Sequence, residues 1–277
     1  MTAAAFALLL PAQGPGIINA PALAPPLAAV CVAAWPMWSW FAAGTLDGSN
    51  EFAGVLAAVA AIAIVVRAPA CAPVSHPLLI PTLCMLLYLA ATVAGLAPSV
   101  RALIVTVAIA ALASAYRRGR RMDLALLALC VLALPLAATL QFYLGYPLRV
   151  IAGDLSVLML RANGLAVVRE GAMLSWEGRL VSIDAPCSGL KMLWAALLLA
   201  GALAASAVLS APSTLGAIGS AVLVVVLANA VRAAALFYME TGLLKLPAWA
   251  HGGVGVVCFS GAAMAVLAGV QALKGRA

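Results

Sequence analysis

Apolar residues run along this chain in long unbroken blocks, separated by short turns rich in Pro, Ser, Gly and charge. A block of about 20 such residues, at 1.5 Å per residue, matches the ~30 Å hydrocarbon core of a bilayer. The blocks fall at 27–43, 52–66, 78–96, 100–115, 124–144, 190–209, 215–238 and 252–273. A transmembrane barrel would alternate apolar and polar positions; these blocks do not. The pattern predicts an all-α, polytopic transmembrane helical bundle of about eight spans, with residues 1–277 forming a single integral membrane domain. Residues 1–25 are apolar but broken by Pro11, Gly14, Pro15, Pro21 and Pro25, and they are assigned to no span.

One interval differs in kind. Residues 145–186 carry Arg149, Asp154, Arg161, Arg169, Glu170, Glu177, Arg179 and Asp184. This stretch reads as a small extracytoplasmic insert between spans five and six. Within it, 151–165 has the spacing of an amphipathic helix lying along the membrane surface. Residues 166–171 and 180–183 read as extended stretches forming a hairpin around Gly171 and Gly178.

Composition agrees with the pattern. The hydrophobic fraction is 66% and the charged fraction 8%, against about 25% charge in a soluble domain. Mean hydropathy is +1.17. The net charge of +7 comes from basic residues scattered over short loops, so it is a topology signal and not a nucleic-acid footprint. Placing Arg117, Arg118, Arg120 and Arg121 in the cytoplasm also puts Arg67, Lys274 and Arg276 inside. Asp47, Glu51 and the whole 145–186 interval then fall outside.

Six cysteines are present, and no pair shows metal-ligand spacing. No metal or cofactor is expected. Cys31, Cys71, Cys84, Cys130 and Cys258 read as packing residues. Cys187 differs, because it stands where the polar interval meets the sixth span. Asp184 is a candidate N-cap, Pro186 suits a first helical position, and Cys187 would then lie in a first turn that favours thiolate. The competing reading is a small buried hydrophobe.

The same topology brings two further residues to the outer face. Arg232 lies late in the seventh span, with Asn229 three residues earlier on the same helical face. His251 opens the eighth, with Gly255 and Phe259 on its own face. Each has an ordinary alternative: a snorkelling Arg, an interfacial His. Together with Cys187 they describe a thiol site. His251 would serve as base or ion-pair partner, Arg232 as charge at an oxyanion, and the N–H groups of Ser188 and Gly189 as donors. A membrane transporter or envelope-assembly component, binding a polar solute at Arg232 and Asn229, is the alternative function.

Three motifs carry a resemblance to a known family. Ala185-Pro186-Cys187-Ser188-Gly189-Leu190 precedes a span, Asn229-x-x-Arg232 lies late in the next, and His251-x-x-x-Gly255-x-x-x-Phe259 opens the last. In this order the chain resembles the exosortase/archaeosortase family of membrane transpeptidases. The resemblance implies that Cys187 is the nucleophile, Arg232 the stabilising cation and His251 the acid/base. It implies an enzyme in the cytoplasmic (inner) membrane with its site on the extracytoplasmic face. The implied partners are membrane lipid and exported proteins ending in a short motif, a hydrophobic span and a basic tail. The first outer loop lacks the His-Gly associated with many members, and Lys191 stands where many carry Arg. The small-residue face of the sixth span (Ala195, Ala196, Ala200, Gly201, Ala204) would permit close contact with a substrate helix.

Overall fold

The computed structural model describes residues 22–46, 53–69, 71, 74–183, 188–247 and 249–275. Ten helices and one three-stranded sheet lie among them. In chain order the elements are α1 (Ala24–Ala33), α2 (Trp35–Leu46), α3 (Ala53–Arg67), α4 (Leu79–Val93), α5 (Pro98–Arg117), α6 (Leu124–Leu132), α7 (Ala137–Ala162), β1 (Val168–Glu170), β2 (Met173–Trp176), β3 (Arg179–Ser182), α8 (Leu190–Ser206), α9 (Ala211–Glu240) and α10 (Trp249–Lys274). The chain divides into two compact units, one holding residues 1–136 and 201–215, the other 137–200 and 216–276.

Among the described residues, α5, α7, α9 and α10 are long and apolar enough to cross a membrane. Helices α1 and α2 form a pair bent by 78°, and α3, α4 and α8 are shorter apolar helices. The all-helical membrane architecture is therefore as expected, and the expectation of eight comparable spans is met only in part. The first block bends because Pro36 stands two residues past the junction at Ala34 and has no N–H to continue the ladder. The fifth block breaks for the same reason at Pro135, between α6 and α7.

In the first unit, α5 is the central element. It packs on α1, α2, α4 and α6, and its buried positions are mostly alanine, which lets neighbouring backbones approach closely. The arginine cluster after α5 is a set of clamps as well as a topology signal. Arg117 donates to the carbonyls of Val65, Val66 and Ala68 at the end of α3, at 2.9–3.1 Å. Arg120 donates to Leu209 and Val208, at 2.7 and 3.0 Å. Arg118 donates to the Ala205 carbonyl and pairs with Asp123 at 2.9 Å, both side chains buried. Asp123 in turn caps α6 by accepting from Ala125 and Leu126. Cations so placed satisfy the last carbonyls of a helix, which have no partner within it.

The second unit holds the candidate chemistry. Residues 145–162 continue α7 as one helix, so the stretch expected on the membrane surface is the second half of a 26-residue helix. The expected hairpin has three strands instead of two: β1–β2–β3, all antiparallel, with Leu174 of β2 facing Arg169 and Val181. Gly171 and Gly178 do make its turns, and Glu177 and Gly178 both have positive φ (47° and 77°), as a two-residue hairpin turn requires. The inner face of the sheet buries Leu174. It joins Val157 and Leu160 of α7, Val167, Ile183, and Ala234 and Phe237 of α9 in one apolar cluster.

The small-residue face of α8 is already occupied. Ala196, Ala200 and Ala204 are buried, and a Cβ on Gly201 would lie 3.2 Å from Leu129 Cδ2. Of that face only Ala195 is half-buried rather than buried.

Candidate active site

Helix α9 has 30 residues, so it is about 45 Å long and outreaches a ~30 Å hydrocarbon core. Its last turns pass into the apolar cluster under the sheet through Ala234 and Phe237. Asn229 and Arg232 lie five and two residues before Ala234, where that cluster begins on α9. The helix begins at Ala211, with Ser210 accepting from the Ser213 N–H at 3.4 Å. The cap is therefore Ser210, and Pro212 is readily held in the first helical turn.

Cys187 and Asp184 lie outside the described residues, and the chain on either side of that segment is well anchored. Ile183 is buried in the cluster and its N–H donates to Ala172 at 2.9 Å. Beyond the segment, Ser188 is 3% exposed and donates to Gln141 Oε1 at 3.2 Å. Gly189 has φ 81° and presses against Asn229 so closely that a Cβ would lie 2.8 Å from Asn229 Cγ. The helix proper begins at Leu190. The expected first turn at Cys187, capped by Asp184, lies outside the described residues. Ser188, Gly189 and Asn229, with Ala152, line a cavity of about 10 Å³, room for about one water centre.

One turn further along α9 stands Arg232. Its Nε is buried with no hydrogen-bond partner among the described residues. Gly255 of α10 lies beside it, where a Cβ would be 3.6 Å from Nε, so the missing side chain leaves the guanidinium room against the helix. Cys258, a turn beyond Gly255, lies within reach of the Arg232 charge. The inward stripe of α10 continues through Ala262, Val266 and Val270, while Phe259 is exposed. Phe259 lies one turn beyond Gly255 on the same helical face, with its side chain exposed.

His251 lies in the first turn of α10, which starts at Trp249. Its Nδ1 is 3.6 Å from Oε1 of Glu240, both side chains being about half exposed. The pair borders an open groove of about 480 Å³ whose other walls are Met239, Gly242, Leu244, Lys245 and Leu246. The structure therefore brings Asn229 to Ser188 and Gly189, Arg232 to Gly255, and His251 to Glu240. No hydrogen bond or ion pair joins Arg232 to His251 among the described residues.

Two polar neighbours escaped the sequence reading. Gln141 stands in an apolar block, and its polarity there was the available signal. Glu240 ends an apolar helix as its only acid, and that placement was the signal.

No curated protein and no solved structure matches the chain. A protein-family comparison does: residues 4–268 match the family described as Transmembrane exosortase (Exosortase_EpsH). That match spans both compact units and nearly all the described helices, and the chain belongs to the transmembrane exosortase family.

Proposed function

We propose that this protein is a membrane-embedded cysteine transpeptidase or peptidase acting on the C-terminal sorting signals of exported, membrane-anchored proteins. The thiolate of Cys187 attacks the scissile carbonyl carbon, and a C–S bond forms as the peptide C–N bond breaks. His251 takes the thiol proton and delivers it to the leaving amine. An acceptor amine or hydroxyl, or water, then attacks the thioester, its proton returning to sulfur as the C–S bond breaks. Arg232 stabilises the oxyanion of each tetrahedral intermediate, and the N–H groups of Ser188 and Gly189 add donors. Asn229 supports the start of α8, and Asp184 belongs to the same outer segment.

The observation that carries this reading is the buried, unpaired Nε of Arg232, one turn from the Asn229 that holds Gly189, two residues from Cys187. A donor with no ground-state partner costs nothing to redirect when an anion develops beside it. The arginine clamps support the orientation. Arg118 and Arg120 tie the basic loop to the C-terminal end of α8, so the Cys187 end of that helix points away from the basic side. The site then lies on the extracytoplasmic face of the cytoplasmic membrane.

The test is co-expression with an exported protein ending in a short motif, an apolar span and basic residues, scored by its shift in size. Cys187→Ala accumulates the uncleaved form at a normal enzyme level in the membrane. Alanine at Cys31, Cys71, Cys84, Cys130 or Cys258 leaves cleavage intact. Full cleavage by Cys187→Ala ends the thiol mechanism.

A further inference from the structure

Neither helix formation nor packing calls for an acid at the end of α9. Glu240 is the last residue of that helix, where unpaired carbonyls form the negative end of the dipole and a carboxylate is disfavoured. Its side chain is 54% exposed, so burial does not hold it there. What does face it is His251, through Nδ1 rather than Nε2, at 3.6 Å. The opposed residues sit across the short connection from α9 to α10, and both line the 480 Å³ groove. Lys245 lines the same groove but forms no ion pair with Glu240 among the described residues.

We infer that Glu240 is the positioning residue for His251. Its carboxylate accepts the Nδ1 proton, fixing the neutral imidazole as the Nδ1–H tautomer and presenting the Nε2 lone pair to the site. This rests on the reading of His251 as acid/base, and it supplies the third group that such a base requires. The 3.6 Å separation is longer than a hydrogen bond, and catalytic contacts of this kind are often long before substrate binds. Thr241 holds the geometry from the other side. It is buried and its hydroxyl donates to the Phe237 carbonyl at 2.7 Å, while its own carbonyl accepts from Arg179 at 2.6 Å. Glu240 is thus held at the backbone, with its carboxylate facing His251.

The chain has two histidines, which makes a direct test possible without substrate. The full chain is prepared in detergent with His76→Asn and nitrogen-15-labelled histidine, so that His251 alone reports. His76 stands at φ 55°, a conformation Asn tolerates. Imidazole nitrogen shifts at alkaline pH read the tautomer. The Nδ1–H form is expected as the major species. Glu240→Gln makes it the minor one, because the amide can turn its NH₂ toward Nδ1, and Glu240→Asp restores it at least in part. Equal tautomer populations with Glu and Gln at position 240 would overturn the assignment, as would a major Nε2–H form in the parent protein. Failure here leaves the Cys187 experiment untouched, and loss of the Cys187 mechanism leaves the tautomer measurement standing, so the two ideas fail separately.

Discussion

Gly189→Ala tests the place where the sequence, the backbone and the site meet. Gly189 has φ 81°, and an added methyl would lie 2.8 Å from Asn229 Cγ and 2.9 Å from Nδ2. The left-handed backbone costs a non-glycine residue about 1–2 kcal/mol. Overpacking against a buried side chain costs about 1–3 kcal/mol more. Asn229 is 3% exposed and has little room to retreat, so both costs apply and the sum is about 2–5 kcal/mol. At roughly 2–4 °C per kcal/mol for a chain of this size, the melting temperature in detergent falls by about 4–20 °C.

The two parts of that cost are separable. Asn229→Ala removes Cγ and Nδ2, leaving the Asn Cβ position at 3.2 Å as the closest contact. The double variant therefore recovers the overpacking part and keeps the backbone part. In a double-mutant cycle it is less destabilised than the sum of the singles by about 1–3 kcal/mol. The assay is thermal unfolding of the four proteins in one detergent, followed by fluorescence. Strictly additive costs, or a Gly189→Ala protein that melts with wild type, would refute the contact and with it the support for the segment carrying Cys187.

Other outcomes follow from the same geometry. Arg232→Lys keeps normal membrane levels and loses about 10²–10³ in processing rate, since a planar donor is replaced by a point charge; wild-type turnover would return Arg232 to an anchoring role. Asp123→Ala strands the buried Arg118 guanidinium and destabilises the first unit by about 3–5 kcal/mol; a change under about 1 kcal/mol in detergent unfolding would show the pair to be ornamental. Reporter fusions at Arg120 and Glu177 report opposite compartments, and one compartment for both would contradict the orientation.

The helices that depend on local sequence alone were legible. The block at 52–66 is α3 at Ala53–Arg67, and the block at 252–273 is α10 at Trp249–Lys274. The misreadings are places where tertiary packing decided. In α7 the buried positions Gly145, Ala152, Gly153, Ser156, Val157 and Leu160 do form a helical stripe, and the sequence shows it. The charged residues on the other side suggested a membrane surface as its partner. The partner is instead protein: Ser156 donates to the Ala230 carbonyl of α9 at 2.9 Å, and Val157 and Leu160 meet Phe237. Strand β2 was missed because Met173–Trp176 is short, and only the two glycine turns around it make it a strand. Arg232, Asn229 and His251 were legible as polar residues in apolar surroundings; Glu240 and Gln141 carried the same signal, but their partners, His251 and Ser188, appear only in the fold.

An orphaned guanidinium atom does not by itself mark a site. Arg101 also has a buried Nε with no partner among the described residues. Arg118 shows what folding alone achieves when a guanidinium is buried: a carboxylate at 2.9 Å, a helix-terminal carbonyl, and a capped helix beyond. What sets Arg232 apart is the company it keeps. Asn229, one turn back, presses on a glycine two residues from the only cysteine at a polar–apolar boundary. Gly255, on α10, lies beside Arg232, where a Cβ would be 3.6 Å from Nε. His251 stands one turn from Gly255 on the same helix. Two glycines thus face the polar residues of α9, Gly189 against Asn229 and Gly255 against Arg232, whose Nε is buried with no partner among the described residues. Local choices of this kind cluster at functional sites, and the oxyanion role proposed for Arg232 would draw on that N–H.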